Sequence, residues 1–426
     1  MPADTRRRSL VALFAATFAE LSGLFMFSPL LLITLKDRGL DTAAIGLFAA
    51  LQWAGLMVAT PFASAWVARL GPRRALVVSG AVPLVTVAGM VATSHLGLWT
   101  LLYFIGGMAS ALRWILAEAT VAELAPAARR GRVMGLFAMM IGATFMLGPA
   151  LLSAMLAAGL GLGAAGWVAV ALVALGLVLL LPVKVPARTP LAASPAAPHR
   201  SNGPAAPDRE VGMDAGNDAG NDAGNEAGNE AARSGWRGTW AALRAAPVVM
   251  LTGFVGGFFE SGLAGLLPLY GLAMGFSVVL AALLVSASGL GSTVLAAVAG
   301  EGADRLPPQR IRRVCAWACI GATLALPLVP VWGPLAGFIA FVWGGAGAAL
   351  YTLAMVQIGA RHQGVALVNN TAVLVLAYTT GGMLAPAAGG LMLQWAPVLG
   401  FPALLLAVAG LGLWRGADLP AKPAVA

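Results

Sequence analysis

The tightest constraint in this sequence is a succession of apolar runs separated by short breaks of Gly, Pro or charge, each long enough to cross a bilayer, which takes about 20 residues. A soluble core has no room for that many. Helices are expected near residues 10–35, 42–68, 74–95, 97–122, 131–159, 163–184, 246–273, 277–299, 314–333, 336–359, 364–394 and 398–416. Of the 426 residues, 59% are hydrophobic and 10% charged, whereas an ordinary soluble domain is about 25% charged. An all-α membrane protein of twelve transmembrane helices is therefore expected. Its domains would be an N-terminal six-helix bundle at 1–184, a cytoplasmic disordered linker at 185–244 and a C-terminal six-helix bundle at 245–426. The opening MPADTRRRSL leads into a long apolar run with no small-residue cleavage site, so a retained first helix is expected instead of a signal peptide.

The net charge of +9 would suggest nucleic acid in a soluble protein, but here the placement of charge points to topology. Arg6, Arg7, Arg8, Arg69, Arg73, Arg74, Arg129, Arg130, Arg132, Arg305, Arg310, Arg312, Arg313, Arg361, Arg415 and Lys422 all fall on one side of the expected membrane, together with the linker. Lys36 and Arg38 fall on the other. Excess Lys and Arg marks the cytoplasmic side, so both termini are expected there, in a bacterial inner membrane, with no nucleic-acid partner. Seven of the 17 acidic residues lie in the linker, several of them in the repeat DAGNDAGNEAGNE at 218–230, which has almost nothing to bury and reads as a solvated spacer. Cys315 and Cys319 are four residues apart in an apolar run, a spacing that suits packing and not a disulfide or metal site.

The second half repeats the first. At an offset of 236, Gly39-Leu40 faces Gly275-Phe276 and Arg69-Leu70 faces Arg305-Leu306; with small shifts Glu20 faces Glu260, Pro29 faces Pro268, Gly106-Gly107 faces Gly344-Gly345 and Pro149 faces Pro386. Parallel repeats of this size suit a transporter, in which two rocking bundles expose one site alternately to either side. The plan of six helices, linker and six helices resembles the major facilitator superfamily. Its loop signature G-x-x-x-D-R-x-G-R-[RK] is echoed by GEGADRLPPQR at 300–310, with Gly300, Asp304, Arg305 and Arg310, and by SAWVARLGPRR at 64–74, with Arg69, Gly71, Arg73 and Arg74. Two further stretches, 260–277 and 349–390, resemble the YcaD-like branch of bacterial permeases.

Ionisable residues inside spans are costly and point to function. Glu20 and Glu260 are repeat mates near mid-depth, and the family resemblance, in which helices 1, 4, 7 and 10 line a cavity, would put both on the transport path. Burial disfavours the charged form of a carboxyl group, which lets it trade a proton with its surroundings, as proton coupling requires. The competing reading is a carboxylate that only fixes helix packing. Arg113 needs a carboxylate, an anionic substrate or water beside it, and its repeat mate is Tyr351. Gln52, Trp53, Trp114 and Trp343 are candidates for the cavity wall. Glu118, about 140° around the helix from Arg113, is expected to face another helix. Glu123 and Arg130 have the E-x6-R spacing of sugar porters, and with Glu118, Arg69 and Arg73 would form a cytoplasmic gate; Asp304, Arg305 and Arg310 would form its counterpart. Gly148-Pro149, and Gly381, Pro386, Gly389 and Gly390, read as packing or hinge elements that resemble the antiporter motif G-x3-GP-x2-GG.

No HExxH, GxSxG or Walker A motif occurs, so an enzyme is not expected, nor a cofactor or metal. The expected function is secondary transport of a small organic solute by alternating access, coupled to protons, with efflux ahead of uptake. The expected partners are a small-molecule substrate, protons and the lipid bilayer, with the chain acting as a monomer. The alternatives are a uniporter or symporter for a polar metabolite, and a membrane-embedded sensor or lipid-handling protein without net flux.

Overall fold

The computed structural model describes residues 2–126, 130–185, 244, 246–303, 305–330, 332–361, 364–396 and 399–414. Within the bilayer a backbone must satisfy its own hydrogen bonds, and each apolar run does so by closing into a helix. The N-terminal half contains α1 (Ala3–Asp37), α2 (Thr42–Phe62, prolonged by a short helix Ala63–Leu70), α3 (Pro72–Ala92), α4 (Leu96–Leu124), α5 (Arg130–Ala157) and α6 (Leu162–Leu180). The C-terminal half contains α7 (Pro247–Ala273), α8 (Val278–Ala303), α9 (Pro308–Leu328), α10 (Pro334–Arg361), α11 (Gly364–Trp395) and α12 (Gly400–Trp414). Eleven of these are long and apolar enough to cross a membrane, and α12 is a shorter apolar helix. Most of the linker, with its acidic repeat, lies outside the described residues, as do Arg415 and Lys422.

Helix starts and stops follow local chemistry. The Asp41 side chain accepts a hydrogen bond from the Ala44 amide at 2.7 Å to open α2, and Pro72, Pro247 and Pro308 occupy first-turn positions. Helices α1 and α7 end alike. Gly39 and Gly275 take φ of +85° and +82°, and the amides of Leu40 and Phe276 reach back to the carbonyls of Leu35 and Gly271. The repeat seen in the sequence is thus a repeat of backbone geometry. The largest departure from expectation is α9, which runs from Pro308 to Leu328 where 314–333 was expected. Its first turns absorb Arg310, Arg312 and Arg313, and the Pro307-Pro308 pair, where a helix can start, sets its beginning.

The two halves pack in the same pattern. Helix α1 packs on α5, α2 on α4, α3 on α4 and on α6; correspondingly α7 packs on α11, α8 on α10, α9 on α10 and on α12. Between the halves, α2 lies along α11 and α5 along α8. Side chains such as Val11, Leu47, Val85, Trp317 and Trp395 are left exposed on the outside, where hydrocarbon would cover them. Arg6, Arg7, Arg8, Arg69, Arg73, Arg74, Arg132, Arg305, Arg310 and Arg313 are exposed at helix ends that the up-and-down topology gathers on one face, called here the basic face.

Candidate functional site

Helix α7 is regular up to Gly257, then widens into a π-helical turn over Phe258–Gly262 before resuming at Leu263. Such turns are rare, interrupt the i→i−4 ladder and recur at functional sites. This one carries Glu260 and Ser261. The Tyr378 hydroxyl of α11 donates to Glu260 Oε2 at 3.0 Å and shares a short hydrogen bond with Ser261 Oγ. The Tyr351 ring of α10 lies 4.7 Å from that of Tyr378, and Trp53 of α2 approaches Tyr378 edge-on at 6.3 Å. Gly347 of α10 leaves room for the Glu260 backbone and Cβ, so α7 and α10 touch closely there.

Beside this cluster lies a cavity of about 60 Å³ between the halves. Phe25, Ser28, Gln52, Trp53 and Tyr103 line it from the N-terminal half, Ser261, Val285 and Pro386 from the C-terminal half, and its described lining contains no Lys or Arg. The wall is aromatic and apolar with a few hydroxyl and amide groups, the composition of a small-molecule site.

Glu20 sits elsewhere. Its Oε2 accepts from Arg113 Nε at 2.7 Å, and Arg113 Nη2 donates to Thr17 at 3.2 Å. Both residues are buried, at 2% and 5% exposure, with Glu20 against Gly176 of α6 and Arg113 facing Gly80 of α3. Arg113 thus has the carboxylate partner expected beside it, and the two form an ion pair between α1 and α4. They find each other there because a guanidinium in a low-dielectric core is tolerated only against a carboxylate. Trp343 is likewise not a cavity residue: at 1% exposure it donates to Thr323 at 3.1 Å and packs on Phe401.

Glu118 is part-buried on α4, one turn from Trp114 and within electrostatic reach of Tyr351 of α10. The expected gate is not assembled among the described residues. Arg69 and Arg73 are exposed, Arg73 reaching only the Leu181 carbonyl at 3.5 Å; both Glu123 carboxylate oxygens are buried without a hydrogen bond; and the Arg130 side chain lies outside the described residues. Asp304 also lies outside them, while Arg305 and Arg310 are exposed. The small-residue positions all sit at crossings: Gly148, followed by Pro149, on α1; Gly381 on α7 at Phe254; Pro386 and Gly390 against Gly46 of α2; Gly389 on Leu266 and Phe401.

Tyr378 and Ser261 are absent from the sequence-based site. The available signal was compositional, since the chain has only four tyrosines and two of them, Tyr351 and Tyr378, meet beside Glu260.

Residues 13–372 match the family model described as Major Facilitator Superfamily. The chain belongs to this superfamily. Among solved structures, this superfamily member resembles a bacterial homolog to the human lysosomal transporter Spinster in an inward-facing and unoccupied conformation, with a TM-score of 0.70, 14% identity and coverage of 98% of this chain and 96% of that one. A D-xylose–proton symporter (TM-score 0.65, 14% identity, coverage 97% and 96%) and the nucleoside transporter NupG (0.66, 13%, 97% and 97%) share the fold as well. No curated protein matches the sequence. The superfamily member is thus a multi-pass membrane transporter of small molecules, built on the twelve-helix fold.

Proposed function

We propose that this transporter moves a small organic solute by alternating access and couples that movement to protons through Glu260, with export as the working direction. The observation that carries the reading is the contrast between two repeat mates. Glu20 is paired with the Arg113 guanidinium; Glu260, on a π-helical turn next to the cavity, accepts from the Tyr378 hydroxyl, which in turn bonds Ser261. A carboxyl group whose described partner is a neutral hydroxyl and not a cation keeps its neutral form accessible, and a change in the contacts around it during rocking changes its proton affinity. Residues 1–184 and 245–426 are the two moving bundles of a monomer, and the arginine-rich face with both termini is the cytoplasmic side of a bacterial inner membrane.

Proteoliposomes holding a pH gradient test this with a panel of organic solutes. Glu260→Gln is expected to lose gradient-driven accumulation of any transported solute, at least about a hundredfold or roughly 2.7 kcal/mol of coupling, while retaining solute exchange. Gradient-driven accumulation unchanged in Glu260→Gln would sink the assignment.

A further inference from the structure

The hydrogen-bonding character of the cargo follows from counting hydrogens along a chain of three groups, given the proton-coupled reading of Glu260 above. Ser261 lines the cavity between the halves, its Oγ is bonded to the Tyr378 hydroxyl, and that hydroxyl is 3.0 Å from Glu260 Oε2. Each hydroxyl has one hydrogen to give and lone pairs with which to accept, whereas an ionised carboxylate only accepts. With Glu260 ionised, the Tyr378 hydrogen must go to Oε2. Ser261 must then give its own hydrogen to Tyr378, so it offers the cavity an acceptor alone. With a proton on Oε2 the order is free to reverse: Glu260 donates to Tyr378, Tyr378 donates to Ser261, and the Ser261 hydrogen is released toward the cavity. Apart from the proton gained by Glu260, only the directions of the O–H bonds change.

The cavity, of about 60 Å³, has room for several water-sized groups, and Phe25, Trp53 and Tyr103 give it aromatic walls. Among its described lining residues, Ser261 is the one bonded through to a carboxyl group. The π-helical turn packs on α10 and α11. The titratable groups there are Tyr351 and Tyr378, whose rings lie 4.7 Å apart, and Glu118 of α4 is within electrostatic reach of Tyr351. No ion pair reaches Glu260 among the described residues. We propose that Ser261 selects the cargo, a solute with an aromatic or apolar body and an N–H or O–H group that donates to Ser261 Oγ while Glu260 is ionised. Protonation of Glu260 turns Ser261 toward donation and weakens the hold on the same solute. Cargo and proton then compete, as exchange of one for the other requires. Tyr378 is the positioning residue that carries the state of Glu260 to Ser261.

Calorimetric titration of the purified, full-length transporter in lipid nanodiscs, with empty nanodiscs as the reference, tests this at mildly acidic and mildly alkaline pH. Two ligands that stay neutral throughout serve as probes: indole, which donates through its N–H, and acetophenone, which accepts through its carbonyl. Indole is expected to bind about tenfold more tightly at the alkaline pH and acetophenone about tenfold more tightly at the acidic one, as gaining or losing one satisfied hydrogen bond warrants. Ser261→Ala and Tyr378→Phe are each expected to abolish both shifts, and a cooperative thermal transition in each variant reports that it is folded. Affinities that do not move with pH, or move in the same direction for both ligands, would overturn the proposal. So would opposite shifts that survive Ser261→Ala or Tyr378→Phe, which would trace them to another group such as Glu118, or no saturable binding of either ligand at millimolar concentration. Opposite shifts lost in both variants, alongside gradient-driven accumulation unchanged in Glu260→Gln, would instead defeat proton coupling and leave selection by Ser261 standing. Accumulation lost in Glu260→Gln without any shift in binding would defeat selection by Ser261 and leave the coupling.

Discussion

A guanidinium cannot shed its charge, so Arg113 in the bundle core needs a carboxylate against it. Glu20 supplies it, and the pair ties α1 to α4. Glu20→Gln strands a buried cation and is expected to cost about 3–5 kcal/mol, read as a large drop in the thermal midpoint of the detergent-purified protein. The double variant Glu20→Leu with Arg113→Met is expected to lose much less than the two single losses combined, since no unpaired charge remains; strictly additive losses would mean that the contact has no structural role. Glu20 and Glu260 were both legible in the sequence as intramembrane carboxylates and as repeat mates. Their partners were not. Arg113 is 93 residues from Glu20 and Tyr378 is 118 residues from Glu260, and no local pattern says which of several helix faces turns toward which.

Elements join through small residues. Gly46 of α2 and Gly390 of α11 meet backbone to backbone, so a side chain at Gly46 runs into the Pro386 carbonyl and Gly390. Gly46→Val is expected to pry α2 from α11 on the face opposite the arginines and to favour opening there. A cysteine placed at Gln52 should then react about tenfold faster with an impermeant maleimide added from that face, a shift of about 1.4 kcal/mol in the equilibrium. Cys315 and Cys319 are buried and should stay silent in this assay. Unchanged labelling would show that the crossing does not limit opening. Helix existence was readable from apolar run length and helix ends from Gly39, Pro72 and Gly275. The π-helical turn at Phe258–Gly262 was not, because the extra residue it accommodates is a matter of how α7 fits against α10 and α11 and leaves no mark in composition.

Across the whole molecule, the described contacts between halves run inward from the face opposite the arginines. Ser153 Oγ of α5 donates to the Val279 carbonyl of α8 at 3.0 Å near that face, and the same helices still touch at Gly142 and Thr293 near mid-depth; on the other seam, Trp53 still meets Gly382. Alternating access requires these seams to part. A disulfide between cysteines at Ser153 and Val279 is expected to stop net flux in proteoliposomes, with recovery on reduction, whereas full flux in the oxidised state would rule out opening along α5 and α8. The sequence by itself determined that the chain crosses a membrane repeatedly, that its halves are duplicates and which face carries the positive charge, since run length, internal similarity and the position of Lys and Arg are all properties of the linear chain. Only the tertiary structure decided which buried charges cancel. Arg113 met Glu20 and left Glu260 to the Tyr378 hydroxyl, because pairing in a low-dielectric interior depends on contacts within about 3 Å between helices far apart in sequence.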